Sequence, residues 1–245
     1  MPNGTEHFQN APIVEAIVGI DLEQMLDDES LPILRALGEQ LQPAYSSSEP
    51  IVLGQFKFEF GSGTQPEQKS TQIGYFFKNS DRLQIIQARR NGFGFSRLAP
   101  YQDWEQFISE AKRVWPLYRQ VIGPAKIGRW TIRYINKLSW PAAERMEDYL
   151  QIYPHIPENL PQIIQGLFLR LQVPISAPRG VLNQQLVGVP PEQEGKVSFI
   201  LDNEFNFDAT GLSDTEVWDQ IQLCREIKNR YFVNSITDKT KEMIA

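Results

Sequence analysis

From Ile13 to Leu22 the chain alternates, with Val14, Ala16, Val18, Ile20 and Leu22 on one face and Glu15, Gly19 and Asp21 on the other. A period of two predicts a strand with one buried face. Leu31, Leu34, Leu37 and Leu41 recur at helical spacing and predict a helix over Leu31–Leu41. Phe56, Phe58 and Phe60 alternate with Gln55, Lys57 and Glu59, a second strand that Gly61-Ser62-Gly63 turns out of. Ile73–Lys78 and Arg82–Arg90 form a hairpin across Asn79-Ser80-Asp81, and Asn91-Gly92 turns the chain again into Phe93–Leu98. Asp103, with Gln106 three residues on, caps a helix whose apolar stripe runs through Trp104, Phe107, Ile108, Ala111, Val114, Trp115 and Tyr118. Pro116 is expected to kink it, and Gly123-Pro124 to end it.

The second half is similar. Lys126–Leu138 is a long strand, and helical pieces broken by prolines are expected between Pro141 and Ile164. Leu167–Ile175, Val181–Val187 and Lys196–Asn206 are three more strands. Ser213-Asp214-Thr215-Glu216 is a capping box for a last helix with Val217, Trp218, Ile221, Cys224, Ile227 and Tyr231 inward. Residues 237–245 are expected to fray, and residues 1–9 to be flexible. The order strand, helix, strands, long helix thus occurs twice, in halves 10–123 and 124–236. It predicts a single compact α+β domain in which an antiparallel sheet packs on two long helices. The arrangement resembles the duplicated saddle of TATA-box-binding proteins; tandem ferredoxin-like units are the competing topology. In the saddle the first strands of the halves lie side by side, which sets Glu15 and Asp21 against Arg129, Arg133 or Lys137.

Composition narrows the chemistry. No apolar run is long enough to span a membrane, and MPNGTEHFQN is not a signal peptide. The single cysteine, Cys224, allows no internal disulfide and sits on the stripe of the last helix, a core position. With His7 and His155 the only histidines, a His/Cys metal site is not expected, and Asp27-Asp28-Glu29 lacks the ligand spacing of a calcium loop. No phosphate-binding glycine loop or nucleophile elbow occurs, so no catalytic residue and no cofactor is assigned. A cytoplasmic protein is the expectation.

Charge is unevenly distributed. The net charge is −6, yet residues 1–50 hold nine acidic side chains and one basic one, whereas residues 78–145 hold thirteen basic and five acidic. Either the middle meets an anionic partner, or the fold brings the opposite charges together. Arg90, Arg97, Arg129, Arg133 and Lys137 are the candidate ligand-binding residues. Arg97 has a competing role, bonding carbonyls at its corner; Asn136, an amide on the apolar face beside Trp130 and Tyr134, is read as bracing a helix end.

Three segments carry a family resemblance: Asn10-Ala11-Pro12-Ile13-Val14-Glu15-Ala16, the run from Phe95-Ser96-Arg97-Leu98-Ala99-Pro100 to Tyr101-Gln102-Asp103-Trp104, and Arg133-Tyr134-Ile135-Asn136-Lys137. They resemble the signatures of a sporadically distributed bacterial protein family without an assigned function, over essentially the whole chain. The resemblance implies a setting of defence, toxin neutralisation or mobile elements. The expected function is therefore a non-enzymatic interaction protein of a bacterial two-protein system, with a protein partner encoded nearby and self-association as a further option. Nucleic-acid binding through a basic sheet face, and a receptor or enzyme for a small anionic ligand, are the alternatives.

Overall fold

The computed structural model describes residues 8–57, 67–161 and 164–245. The chain folds as β1 (Ile13–Leu22), α1 (Ser30–Leu41), β2 (Ser47–Lys57), β3 (Glu67–Lys78), β4 (Gln84–Arg89), β5 (Gly92–Leu98), α2 (Trp104–Ile122) and β6 (Ile127–Pro141). It continues through β7 (Phe168–Ile175), β8 (Gly180–Val189), β9 (Lys196–Asp208), α3 (Asp214–Ser235) and α4 (Asp238–Ile244). Among the described residues the strands make one nine-stranded antiparallel sheet, ordered β2-β3-β4-β5-β1-β6-β9-β8-β7. β1 and β6 sit side by side, with Ile17 opposite Arg133 and Asp21 opposite Arg129. From that pair the strands run outward as β5-β4-β3 on one side and β9-β8-β7 on the other, and β2 extends one edge. Pro50 lies in β2, where an edge strand tolerates a missing N–H. Phe58 and Phe60 lie outside the described residues.

Alternation assigns each strand an inner face. Ala16, Val18 and Ile20 of β1 and Trp130, Ile132 and Tyr134 of β6 are buried beneath the apolar stripe of α2 and the Val217, Trp218, Ile221 and Cys224 stripe of α3. Trp130 stacks on Phe207 at 4.1 Å between ring centroids. A second apolar cluster surrounds Trp140, which is sandwiched between Tyr149 and Phe199. α1 packs on the same side, against α2 and β3, so the outer face of the sheet keeps its alternate residues uncovered by any described helix. At the β4–β5 turn Gly92 adopts φ +152, where a Cβ would meet Ile20 O at 2.4 Å.

The helix starts follow local chemistry. Asp103 accepts from Gln106 N at 2.7 Å, and Ser213 with Glu216 forms the reciprocal capping box. α2 runs unbroken through Pro116 to Gly123, whose N–H donates to Arg119 O. Two expectations are corrected. Between Pro141 and Ile164 the described residues hold only a 3-10 turn, Met146–Asp148, because Pro154, Pro157 and Pro161 remove donors that a helix needs. Residues 237–245 do not fray: α4 is capped by Thr237, Thr240 Oγ1 donates to Tyr149 O at 2.6 Å, and Ile244 is buried in the second cluster. The N-terminal side is anchored as well, since Asn10 N donates to Ile244 O and Phe8 packs edge-on against Phe232. No described helix is long and apolar enough to cross a membrane.

Candidate ligand cavity

The five cations singled out in the sequence do not converge. Arg129, Arg133 and Lys137 alternate along the outer face of β6. Asp21 takes Arg129 at 2.5 Å and Arg89 at 2.9 Å, one carboxylate between two guanidinium groups. Arg133 grips both oxygens of Asp202, at 2.9 and 2.6 Å, and Lys137 bonds Glu192 at 2.5 Å. Those contacts hold the Arg133 guanidinium more firmly charged and the Glu192 carboxyl below the usual carboxylate range. Arg90 sits at the β4–β5 turn, donating to Leu26 O at 2.8 Å and pairing with Asp28. Arg97 lies on the opposite, helix-bearing face, opposite Ala16, and donates to Pro100 O at 3.3 Å. The cross-strand pairing read from the sequence holds for Asp21 and Arg129. Glu15 instead faces Ile135, and the carboxylates for Arg133 and Lys137 come from β9 and the loop before it.

The three motif segments, by contrast, meet at one place. A cavity of about 200 Å³ opens on the helix-bearing side between the start of α2, the second half of α3 and the inner face of β6 and β9. Ala11, Pro12 and Ile13 edge it from the N-terminal segment, and Tyr101 to Trp104 from the corner before α2. Tyr134 and Asn136 form its floor with Asn203 and Phe205 of β9. The geometry follows from strand alternation: Tyr134 and Asn136 are both inward on β6, and Asn203 stands directly opposite Tyr134. Trp104 is fixed by its indole N–H, which donates to Gln222 Oε1 at 3.1 Å and ties α2 to α3. The Tyr101 and Tyr134 hydroxyls lie 2.8 Å apart, and burial drives both phenols well above their ordinary range.

Lys228 projects into this cavity from α3. Its ammonium lies 4.2 Å from the centroid of the Tyr134 ring and 5.3 Å from that of Trp104, and donates to Asn229 Oδ1 at 2.7 Å. It has no carboxylate partner among the described residues; the neighbouring Glu105 pairs with Arg225 instead. Lys228 is half-buried, and desolvation by the protein around it pushes its ammonium down to about 7. One turn earlier on α3, burial pushes the Cys224 thiol up to about 12, which keeps it a protonated core residue. Among the described residues no group of three or more His, Cys, Asp or Glu side chains is placed to hold a metal.

Asn136 is 2% exposed and Asn203 1%, so their polar atoms need partners inside the protein or in the cavity. Asn136 Nδ2 donates to Leu201 O at 3.3 Å and to Tyr134 O at 3.4 Å, both strand carbonyls, which corrects the helix-end role read from the sequence. Asn203 Oδ1 accepts from Gln184 Nε2 at 2.8 Å. Asn136 Oδ1 and Asn203 Nδ2 have no partner among the described residues.

Sequence reasoning named Tyr134, Asn136 and Trp104 and missed Asn203 and Lys228. Both had a signal: Asn203 interrupts the inward series Leu201, Phe205, Phe207, and Lys228 continues the stripe Val217, Ile221, Cys224 at a spacing of four. No protein-family model and no curated protein matches this chain.

Proposed function

We propose that the chain is a binding protein that holds a small organic ligand in this cavity and serves as the sensing member of a bacterial two-protein system. The observation that carries the reading is the pair Asn136 and Asn203. Two buried amides, each with an unpartnered polar atom at a cavity floor, are what a site built for a ligand leaves open. Aromatic walls and an ammonium without a carboxylate support the same reading. This moves the small-ligand alternative from Arg90, Arg97, Arg129 and Arg133 to the residues of the cavity. Non-enzymatic action fits the protonated Cys224 and the position of His155 outside the cavity. A cytoplasmic location and a saddle-like duplication of halves 10–123 and 124–236 belong to the same proposal, the latter supported by the even outward run of strands from β1 and β6.

The test is a screen of a fragment library against the full chain by ligand-observed NMR. Fragments whose binding is lost in Asn136→Leu support the reading. A chain that binds no fragment, or only fragments indifferent to that change, overturns it.

A partner protein has an observation of its own. Phe168, 66% exposed, stands on β7 at the free edge of the sheet. Copurification of the product of the adjacent gene with the wild-type chain but not with Phe168→Lys supports this second reading; a chain recovered alone and monodisperse from native cells overturns it.

A further inference from the structure

We propose that the cavity recognises a flat ring carrying an amide edge, a carboxamide or a lactam, with Asn203 donating to its carbonyl and Asn136 accepting from its N–H. The inference rests on the cavity being a ligand site, and it names the class of ligand.

The polarity of the two side chains follows from what lies behind them. Ser235 Oγ donates to Tyr231 O at 2.7 Å, a bond within α3 that uses its only proton. The same oxygen must therefore accept from Gln184, whose Nε2 lies 2.9 Å away. That places the amino group of Gln184 toward both Ser235 and Asn203, so the Asn203 atom it meets at 2.8 Å is the oxygen. Asn203 then has only its NH₂ to offer the cavity. Asn136 is oriented independently: it faces the carbonyl of Leu201, an acceptor, so its nitrogen points there and its oxygen points away. The floor thus presents one fixed donor and one fixed acceptor, on adjacent strands and diagonal to each other across the Asn136–Leu201 and Tyr134–Asn203 pairs.

The walls select shape. Trp104 beside the floor, and Tyr134 and Phe205 within it, offer ring faces or edges to a ligand. An apolar cavity of ~150 Å³ accepts benzene, so about 200 Å³ suits one substituted ring. A group with a carbonyl and an N–H side by side satisfies both floor atoms at once. A ketone leaves Asn136 unpaired, and a carboxylate, though Lys228 attracts it, sets one oxygen against Asn136 Oδ1.

The full chain is titrated calorimetrically with benzamide, the exocyclic amide, and with 2-pyridone, the ring lactam. Acetophenone, which lacks the N–H, and toluene, which lacks both groups, are the controls. Either amide is expected to bind at least about tenfold tighter than acetophenone. Asn136→Leu is expected to erase that margin while toluene binding persists. Ser235→Ala, which frees Gln184 and Asn203 to turn over, is expected to narrow the margin without moving the affinity for toluene, a readout that loss of packing does not imitate. Equal affinities for amides and acetophenone in the wild-type chain overturn this inference and leave the cavity reading in place. No binding of any of the four compounds overturns this inference too, and overturns the cavity reading as well when the fragment screen is also empty.

Discussion

The outer face of the sheet and the cavity under the helices are built from the same two strands, β6 and β9, and differ in what they leave unfinished. On the outer face Asp21, Asp202 and Glu192 pair with the cations around them, and the atoms left without a partner among the described residues, Arg89 Nε and Ser96 Oγ, are sealed away from solvent. On the inner face Asn136 and Asn203 are buried and Lys228 half-buried, yet each keeps bonding capacity that the described chain does not use. Density of charge therefore marks the place where the fold holds itself together. Polar atoms short of partners mark a place where something else fits when, as at Asn136 and Asn203, they line a cavity.

The comparison breaks most visibly at Lys228. A lysine pushed down to about 7 in the folded chain and near 10.4 when unfolded binds fewer protons folded than unfolded between those values. Stability must then rise with pH through that window, by about 1.4 kcal/mol per pH unit, and the cost is fully present below pH 7. Lys228→Met removes the term. The variant should exceed the wild-type chain in stability at pH 6.5, with the gap closing toward pH 10. Urea unfolding of both chains at several pH values measures it, and the groups around Lys228, namely Arg225, Glu105 and Cys224, are common to both. A constant gap would mean that Lys228 stays charged in the fold and that the cavity is wetter than its geometry implies.

On the outer face the sign reverses. Asp202 is buried and its carboxylate takes both arms of Arg133, so Asp202→Ala strands a partly buried guanidinium and should cost about 2 kcal/mol in urea unfolding. Ligand binding in the cavity should be unchanged, because Asp202 and Asn203 point to opposite faces of β9. In the cavity, Asn136→Leu replaces an amide that is only partly satisfied by an apolar side chain of similar size. It should leave stability within about 1 kcal/mol of wild type, on the favourable side, while erasing the preference for amides over acetophenone. A large loss of stability in Asn136→Leu would show that the bond to Leu201 O, and not a ligand, explains the residue.

What was legible in the sequence was what short-range physics decides. The alternation of β1 and the Asp103 and Ser213 caps depend on residues a few positions apart, and each is where the pattern puts it; the β4–β5 hairpin forms as expected with its turn one residue earlier, at Arg90-Asn91. The β1–β6 pair was reachable because the order of elements repeats. Tertiary effects were not. α4 has seven residues and no stability of its own; it exists because Thr240 finds the Tyr149 carbonyl and Ile244 finds the second cluster. The cavity joins residues 11–13, 101–104, 134–136, 203 and 228, and nothing local brings Asn203 or Lys228 to the motif segments. Reading Arg129 and Arg133 as a clamp weighed charge by its frequency along the chain, whereas the sheet register supplied Asp21 and Asp202 from strands distant in sequence.

Lys137 gives the smallest effect and the finest resolution. It ranks with Arg129 and Arg133 in the sequence, three cations at every fourth position on one strand face, and a basic binding surface needs all three in the same way. The fold treats them differently. Arg133 shares a buried carboxylate, whereas Lys137 pairs with Glu192, whose side chain is 79% exposed on a loop. An ion pair with so solvated a partner gains little over the two separated charges, so Lys137→Ala should change stability by less than about 0.5 kcal/mol. The same variant also tests the nucleic-acid alternative. A phosphate-binding face would lose affinity for short DNA and RNA at about 50 mM salt when Lys137 is removed. A face whose cations are held by Asp21, Asp202 and Glu192 should show no complex in either chain. Weak binding that depends on Lys137 would return the outer face to the functional surface and reduce the contrast with the cavity to one of degree.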